Sequence, residues 1–292
     1  MNMVEEWDNS LILQTGICMD LDFWLNTFQK LSGKIDEQMK QFAGTKDGAL
    51  IIGKGAGGDQ TLKLDKIAED IILDKLEILH NNFDLEFILV SEELGIRKFG
   101  NDPDTHIIID PLDGSFNARQ GIPYYATSMA LATGKTVNDV VLGYVRNLAN
   151  GDEFHAIKGA AAFVNGQQIE GKNVEIPRAF VFEAAHNKAG LKRVEPLLDM
   201  FERARCLGST ALDICYLAAG NIDIFFYPIP SRTIDYVAGK VILEEVGGVI
   251  TGMLGENLDE LTLDLEKTLP ILAAGNPVTM KKVMDIIQLS RI

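Results

Sequence analysis

The amino-acid sequence predicts a protein of mixed α and β structure, with an α+β domain over residues 1–177 and an α/β domain over residues 178–292. Hydrophobic residues make up 47% of the 292 residues, which is enough for a sizeable core. Before Pro177, two helical patterns are followed by a series of strand patterns. After Pro177, strands and helices alternate, which is typical of a sheet covered by helices.

In the first domain, apolar residues recur every three or four positions over residues 20–43 and again from Leu64 to Leu79. This spacing predicts two helices that each bury one face. Short apolar runs predict strands over residues 49–53, 85–93, 105–111, 128–134 and 139–145, with a hairpin around Gly159.

In the second domain, apolar runs predict strands over residues 179–185, 204–208, 222–228 and 269–275. Helices are expected between them, over residues 192–204, 210–220 and 234–248. A last helix is predicted to begin at Asn276-Pro277, since proline suits the first position of a helix.

The overall composition excludes several classes of protein. The net charge of −15 would repel a nucleic-acid backbone. The N-terminus is acidic, unlike a signal peptide, and no apolar run approaches the ~20 residues of a membrane span. The three cysteines are widely spaced, so we expect a reduced protein without disulfides or a zinc cluster, in which Cys206 and Cys215 fill core space. We therefore expect a cytoplasmic protein that binds neither nucleic acid nor membranes.

A glycine pattern follows the first predicted strand, where Gly53, Gly55 and Gly58 form G-x-G-x-x-G. Alone, this pattern suggests dinucleotide binding. The context argues against it, because a helix precedes the strand and the acidic residues Asp70 and Asp74 lie inside the next helix. We interpret the glycines as a flexible hairpin or lid, and an oxidoreductase of the Rossmann type stays an alternative that a test of NAD binding would decide.

Acidic side chains stand at the ends of predicted elements. They are Glu92, Asp110, Asp113, Asp235 and Asp65. Any one of them alone could be a solvated side chain or could complement a helix dipole. Asp110 and Asp113, however, share one tight turn, and neighbouring carboxylates repel each other unless cations lie between them.

The turn that carries these carboxylates also suggests an anion site. Pro111 restricts the backbone, Gly114 permits a close approach, and Ser115 can begin a helix whose N–H groups would bind an anion. Oxygen ligands without histidine or cysteine favour hard divalent cations, of which Mg²⁺ is abundant. Two such ions beside a phosphate can promote in-line hydrolysis. The sequence therefore predicts a magnesium site for a phosphate ester.

Three segments resemble the inositol monophosphatase family, in the wider group that includes the fructose-1,6-bisphosphatases, and are most similar to its archaeal members. They are SEELG (91–95), IIDPLDGSFNARQGIP (108–123) and IDYVAGKVILEEVGG (234–248). A weaker fourth match joins Thr61 to Asp65, and residues 208–226 resemble the segment between the motifs. The resemblance implies a layered αβαβα sandwich of the sugar-phosphatase type.

The resemblance also implies a set of metal ligands. Glu92, Asp110 and the backbone carbonyl of Leu112 would hold a first Mg²⁺ ion, which makes Glu92 a catalytic residue as well. Asp110, Asp113 and Asp235 would hold a second ion. A third ion could bind near Glu92, so two or three Mg²⁺ ions are implied.

Further residues are implied to act on water and substrate. Asp65 and Ser115 would align the attacking water. The N–H groups of Gly114 and Ser115 would receive the phosphate, and Gly208 and Ser209 would lie near the substrate hydroxyls.

Arg232 has two interpretations, as a contact to a substrate phosphate or as an ordinary surface arginine. Three positions depart from the family pattern. Ser115 replaces a threonine and keeps the hydroxyl, while Ile234 replaces a tryptophan. Pro228 stands where animal inositol phosphatases carry a glutamate for sugar hydroxyls, which weakens a strict assignment to inositol.

The implied activity is hydrolysis of a phosphate monoester of a sugar or inositol, such as inositol 1-phosphate or fructose 1,6-bisphosphate, by a metal-activated water. A 3′(2′),5′-bisphosphate nucleotidase or NADP phosphatase with the same metal site is the alternative. A non-catalytic relative would be expected to have lost a carboxylate, and all of them are present. The partner is then a small phosphorylated substrate, and the family implies a homodimer or homotetramer.

Overall fold

The computed structural model describes residues 20–56, 60–101, 103–171, 177–183 and 188–290. In these residues, the secondary structure stacks in five layers, in the order helix, sheet, helix, sheet, helix. The α-helices are α1 (Leu21–Phe42), α2 (Lys63–Phe83), α3 (Ser115–Gln120), α4 (Lys188–Val194), α5 (Thr210–Ala218), α6 (Val237–Glu245) and α7 (Pro277–Leu289). The strands are β1 (Ile51–Lys54), β2 (Gln60–Leu62), β3 (Phe87–Ser91), β4 (Gly95–Phe99), β5 (His106–Asp113), β6 (Ala126–Ala132), β7 (Val140–Asn147), β8 (Glu153–Ile157), β9 (Ala161–Val164), β10 (Gln167–Gln168), β11 (Ala179–Phe182), β12 (Arg203–Arg205), β13 (Ile224–Tyr227), β14 (Val249–Gly252) and β15 (Ile271–Ala274).

The larger sheet has the strand order β10-β9-β8-β7-β6-β5-β3-β4. Its neighbouring strands are antiparallel except for β3 and β5, which run parallel. Strand β5 is covered on both faces, since Ile107 and Ile109 pack under α1 and α2 while Ile108 faces α5 and α6. Burial on both faces explains why this strand is apolar without alternation.

The two outer helices form for local reasons that the sequence makes visible. The side chain of Asp20 caps α1 by accepting hydrogen bonds from the N–H groups of Asp22 and Phe23. At the start of α2, the Asp65 carboxylate accepts a hydrogen bond from Leu62 N at 2.7 Å. This contact both begins α2 and fixes the position of Asp65.

The smaller sheet has the strand order β12-β11-β13-β15-β14. Strands β12, β11 and β13 are parallel, whereas β15 is antiparallel to both of its neighbours. Phe225 faces α5 and α6 in the core between the two sheets, while Ile224 and Phe226 pack against α7 on the opposite face. Helices α5 and α6 therefore form a central layer that both sheets share.

The layered sandwich predicted from the sequence is confirmed, with two corrections in its helices. The helix expected over residues 192–204 ends at Val194 and continues as a 3₁₀ helix, Glu195–Met200, because Pro196 lacks an N–H group and disrupts the helical hydrogen bonds. The helix expected over residues 234–248 begins only at Val237, since Asp235 lies in a preceding 3₁₀ turn, Thr233–Asp235. The domain boundary at Pro177 stays a prediction.

Two smaller expectations have different outcomes. The glycine pattern does lie in a hairpin, because Gly53 belongs to β1, which pairs antiparallel with β2, although Gly58 itself lies outside the described residues. Cys215 is buried as expected, but the prediction for Cys206 is wrong. Cys206 follows the short edge strand β12 and is exposed. Within the described ranges, no helix combines the length and apolar character that crossing a bilayer requires.

Candidate active site

Strand ends from both sheets open onto one cavity of about 530 Å³, a volume typical of small-molecule sites. Most of the predicted site residues line it: Glu92, Asp110, Leu112, Asp113, Gly114, Ser115, Gly208, Arg232 and Asp235. Asp65 lines a smaller adjoining cavity of about 100 Å³, whose wall also contains Glu92, Asp110 and Ser115. Ser209 is buried and lies beneath the larger cavity.

The larger sheet positions three carboxylates at one edge. Because β3 and β5 are parallel neighbours, they end on the same side, where Glu92 follows β3 and its N–H donates to the carbonyl of Ile109 at 3.4 Å. The pairing of β5 with β6 is irregular between Asp110 and Asp113. This irregularity lets both carboxylates of the turn reach the cavity.

The Asp113 carboxylate also connects the two halves of the site. Its Oδ2 accepts a hydrogen bond from Ser209 Oγ at 2.6 Å and another from Ala211 N at 2.7 Å, at the beginning of α5. The Asp110 Oδ1 atom accepts from Leu112 N at 3.1 Å. The Ser209 side chain thus holds Asp113 in place from below.

The backbone around the turn at Gly114 is tightly packed. Gly114 has φ of +88°, and a Cβ atom there would lie 2.9 Å from the carbonyl oxygen of Gly208. Asn117 Nδ2 donates to the carbonyls of Tyr124 at 2.8 Å and Leu207 at 2.7 Å, which ties α3 to the segment before α5. Asn117 is thus a positioning residue that the sequence reasoning quoted in a motif without giving it a role.

Arg232 lies between two of the carboxylates. Its Nη2 donates to Glu92 Oε1 at 2.6 Å, and its Nε donates to Asp235 Oδ1 at 3.2 Å. Its backbone N–H donates to the other oxygen of Asp235 at 3.0 Å. The side chain is only 11% exposed, so this is a buried ion-pair network and not an ordinary surface arginine.

The acidic cluster shows the electrostatic cost of crowding. Burial raises the pKa of Asp110 well above its usual value, and the charges of Glu92 and Asp113 raise it further. Burial also raises the pKa of Asp113 to about 7, although the hydrogen bonds it accepts from α5 oppose this shift. The pKa of Asp235 rises to about 6 through burial, and the adjacent guanidinium limits the rise. Because burial and mutual repulsion disfavour the ionised forms, bound cations would favour ionisation of these groups together.

Among the site carboxylates, Asp65 carries the oxygen that is both fully buried and without a hydrogen-bond partner in the described residues. Its Oδ1 is buried and has no hydrogen-bond partner among the described residues, while Oδ2 is held by Leu62 N. Burial raises its pKa to about 7, and the charges of Glu93 and Glu92 contribute. A buried oxygen of this kind beside a cavity is suited to holding water.

The donor set has the chemistry of a magnesium site. It consists of carboxylate oxygens, with the unpartnered Asp65 Oδ1 nearby, and such ligands suit Mg²⁺. Among the described residues, no three acidic, histidine or cysteine side chains are spaced to hold one ion. The Arg232 guanidinium stands where it separates Glu92 from Asp235. The side chains therefore have the oxygen ligands that Mg²⁺ requires. Glu92 and Asp235 could approach bound ions together only if this guanidinium moved.

Seven residues of the cavity wall were not predicted as site residues. They are Phe116, Asn117, Leu207, Thr210, Glu183, Cys206 and Tyr227. The signal that could have found three of them is position, because each of the last three ends or follows a strand of the smaller sheet. Whether Glu183, Cys206 and Tyr227 lie beside one another depends on the order of the strands in the sheet, which a local sequence pattern does not give.

Comparison with known proteins gives concordant matches. A sequence model of the inositol monophosphatase family matches residues 23–290. The fructose-1,6-bisphosphatase/inositol-1-monophosphatase of Methanothermobacter thermautotrophicus is 32% identical over 279 residues, which cover 92% of this chain and 98% of that protein. A bifunctional NADP phosphatase/NAD kinase of Methanococcus maripaludis is 30% identical over 86% of this chain, but the match covers 47% of that protein.

A solved structure agrees with these matches. The crystal structure of an inositol monophosphatase–fructose 1,6-bisphosphatase superposes with a TM-score of 0.79 and 28% identity, over 90% of this chain and 99% of that one. The fold and these matches define a phosphatase, an enzyme that hydrolyses phosphoric monoesters. The chain belongs to the inositol monophosphatase family, whose members depend on metal ions.

Proposed function

We propose that this enzyme is a Mg²⁺-dependent phosphatase that hydrolyses a phosphate monoester of a sugar or inositol. One observation carries the proposal. Carboxylates that follow β3, end β5 and precede α6 line the same cavity as the Gly114–Ser115 turn, so the metal ligands and the anion site that we propose face one space. The relative from M. thermautotrophicus, named for both activities, supports inositol 1-phosphate and fructose 1,6-bisphosphate as substrates.

The metal ligands we propose are Glu92, Asp110 and the carbonyl of Leu112 for one ion, and Asp110, Asp113 and Asp235 for a second. A third ion is proposed near Glu92. The raised pKa values of Asp110, Asp113 and Asp235 support this assignment, because burial and mutual repulsion disfavour the ionised cluster. Bound Mg²⁺ would offset the negative charge of the carboxylates and of the phosphate oxygens.

We propose that Asp65 and Ser115 orient the attacking water in the small cavity that both residues line. The Asp65 Oδ1 atom can accept a proton from this water, since its pKa of about 7 suits a base at neutral pH. The hydroxyl of Ser115 supplies a second hydrogen-bonding group beside it. Water is the nucleophile in this scheme: its oxygen bonds to phosphorus while the ester P–O bond breaks, and the departing alkoxide takes a proton from solvent. No phosphorylated enzyme forms.

The remaining residues bind and position the substrate. The N–H groups of Gly114 and Ser115 would receive the phosphate oxygens at the start of α3. The backbone of Gly208 would approach the substrate, because Gly208 lines the cavity. We assign Ser209 to holding Asp113, and we propose that Arg232 reaches a substrate phosphate when it leaves its carboxylate partners.

A second candidate substrate class is a nucleotide that carries a 2′- or 3′-phosphate. The match to the NADP phosphatase/NAD kinase supports this class, because it extends over most of this chain. Such a substrate would use the same carboxylates and would differ only in what the rest of the cavity binds.

The test is phosphate release from inositol 1-phosphate, fructose 1,6-bisphosphate, adenosine 3′,5′-bisphosphate and NADP, each with Mg²⁺ and with EDTA. Asp235→Asn should lower kcat/KM by more than about 100-fold, since loss even of a group supporting a metal ligand costs 10- to 100-fold. Asp70→Asn is the matched control, because Asp70 is exposed on α2 and pairs only with Lys66 in the contacts described. Full activity of Asp235→Asn, or release unaffected by EDTA, would contradict the proposal.

Assembly and location are separate expectations. A homodimer or homotetramer stays a prediction that sedimentation of the purified protein would measure. A cytoplasmic location likewise stays a prediction, to be checked by fractionation of the source cells.

A further inference from the structure

The cavity has a second wall, which the smaller sheet provides. Glu183 directly follows β11, Cys206 directly follows β12, and Tyr227 is the last residue of β13. These three strands are parallel neighbours, and their register pairs Phe182 with Phe226. Carboxyl ends of parallel strands meet at one edge of a sheet, which is where ligands bind in open α/β sheets. We call Glu183, Cys206 and Tyr227 the strand-end rim.

The strand-end rim is held firmly by the sheet. Glu183 N donates to the carbonyl of Phe226 at 3.0 Å, which continues the β11–β13 pairing one residue beyond the strand. The Cys206 Sγ atom lies 3.8 Å from Glu183 Oε1 and donates to it. The Glu183 carboxylate is therefore anchored at the cavity wall and is only partly buried.

The chemistry of the strand-end rim suits hydroxyl groups. A carboxylate accepts hydrogen bonds from hydroxyls, and the Tyr227 phenol both donates and accepts. Burial, together with the charges of Asp235 and Glu183, raises the pKa of Tyr227, so the phenol is neutral under ordinary conditions. Phe116 lines the same cavity with 63% of its surface exposed, which offers an apolar face to the C–H groups of a ring.

The charge of the cavity argues against a second phosphate at this wall. Among the described residues that line it, Arg232 is the one cation, and it lies between Glu92 and Asp235, on the side of the proposed metal ligands. Glu183 instead brings a negative charge to the strand-end rim. A phosphate dianion next to Glu183 would be repelled, whereas a hydroxyl would donate a hydrogen bond.

We propose that Glu183 and Tyr227 bind the hydroxyl groups of the substrate, and that Glu183 makes the enzyme prefer polyol or sugar monophosphates to bisphosphates. This inference rests on the proposed phosphatase function. It assigns specificity to side chains of the smaller sheet, while the hydrolytic step stays with the carboxylates of the larger sheet and Asp235.

The experiment compares KM and kcat for inositol 1-phosphate, fructose 1,6-bisphosphate and phenyl phosphate, which carries no hydroxyl on its ring. Glu183→Gln keeps the shape of the side chain and removes its charge. It should raise KM for inositol 1-phosphate about ten-fold, as expected for hydrogen bonds to a charged group. It should leave KM for phenyl phosphate unchanged. It should raise KM for fructose 1,6-bisphosphate less than for inositol 1-phosphate, because the loss of hydrogen bonds to its hydroxyls is offset by the removal of repulsion.

Two further variants keep the test decisive. Tyr227→Phe should raise KM for inositol 1-phosphate by about three-fold and spare phenyl phosphate. Glu202→Gln is the matched control, because Glu202 is exposed and does not line the cavity, and it should change none of the three values.

The outcomes separate this inference from the proposed function. If the native enzyme releases phosphate from none of the three compounds with Mg²⁺, both the proposed function and the specificity role are wrong. If it does release phosphate, but Glu183→Gln and Tyr227→Phe change KM equally for all three compounds or not at all, the specificity role alone is wrong.

Discussion

Replacing Arg232 with methionine should make the protein less stable without Mg²⁺ and make it bind Mg²⁺ more tightly. In the structure, the guanidinium donates to Glu92 at 2.6 Å and to Asp235 at 3.2 Å, and thus occupies the place of a cation between two proposed metal ligands. Removing it leaves two crowded carboxylates uncompensated in metal-free protein. In the presence of Mg²⁺, the ion supplies the missing positive charge.

The magnitude follows from the burial of this network. The side chains of Arg232, Glu92 and Asp235 are only 11%, 18% and 12% exposed, and breaking a buried pair costs roughly 3–5 kcal/mol. We expect Arg232→Met to lower the free energy of unfolding by about 3 kcal/mol in EDTA and by about 1 kcal/mol with saturating Mg²⁺. For a chain of this size, each kcal/mol corresponds to roughly 2 °C of melting temperature. The difference of about 2 kcal/mol must then appear as Mg²⁺ binding that is about 30-fold tighter.

Two measurements test this link between stability and Mg²⁺ affinity. Thermal unfolding with EDTA and with Mg²⁺ gives the stability difference, and calorimetric titration gives the Mg²⁺ affinity. Arg146→Met is the matched control, because Arg146 pairs with Asp36 at 3.5 Å and Glu153 at 3.2 Å, away from the cavity. Its loss of stability should be the same in both conditions. Equal behaviour of the two variants, or weaker Mg²⁺ binding by Arg232→Met, would refute the reasoning.

Two further predictions concern pH and backbone geometry. Burial raises the folded-state pKa of Asp65 to about 7, above its unfolded pKa near 4. Protonation of Asp65 therefore stabilises the folded state fully below about pH 4. This stabilisation, on the order of 4 kcal/mol, is lost as the pH rises through 7. The melting temperature in EDTA should therefore fall from pH 5 to pH 8, and Asp65→Asn should reduce this slope; an unchanged slope would count against the shift. Gly114→Ala should lower the melting temperature more than Gly159→Ala. Both positions have positive φ, but only the Cβ of the former would lie near backbone, 2.9 Å from the Gly208 oxygen; equal losses in the two variants would argue against a close approach.

Much of the fold could be predicted because its determinants are local. The spacing of apolar residues gives α1 and α2, and the uninterrupted run at Ile107–Ile109 gives a strand buried on both faces. Strand β4 was missed since it lies at the sheet edge, where Arg97 and Lys98 are exposed and no apolar pattern is required. The predicted helix over residues 192–204 is too long, because Pro196 interrupts the helix within the apolar spacing around it.

The candidate site could be predicted as far as its carboxylates, because they follow strands directly in the sequence. Its long-range contacts could not. Ser209 donates to Asp113, 96 positions away, and Arg232 donates to Glu92, 140 positions away. Such pairs depend on how the sheets are stacked, which no local spacing encodes. Glu183 was missed for the same reason, since its place in the cavity follows from the pairing of β11 with β13.

The central helical layer has a consequence for how the chain emerges from the ribosome. The inner face of the larger sheet, with Ile108 and Val145, is complete well before α5 and α6, its covering helices, are synthesised. At roughly 5–20 residues per second, this face waits on the order of several seconds for its cover. A nascent chain at that stage carries an apolar surface and an acidic turn without its later partners. Conditions that slow translation over residues 148–245 should therefore increase aggregation during synthesis more than slowing it over the last helix.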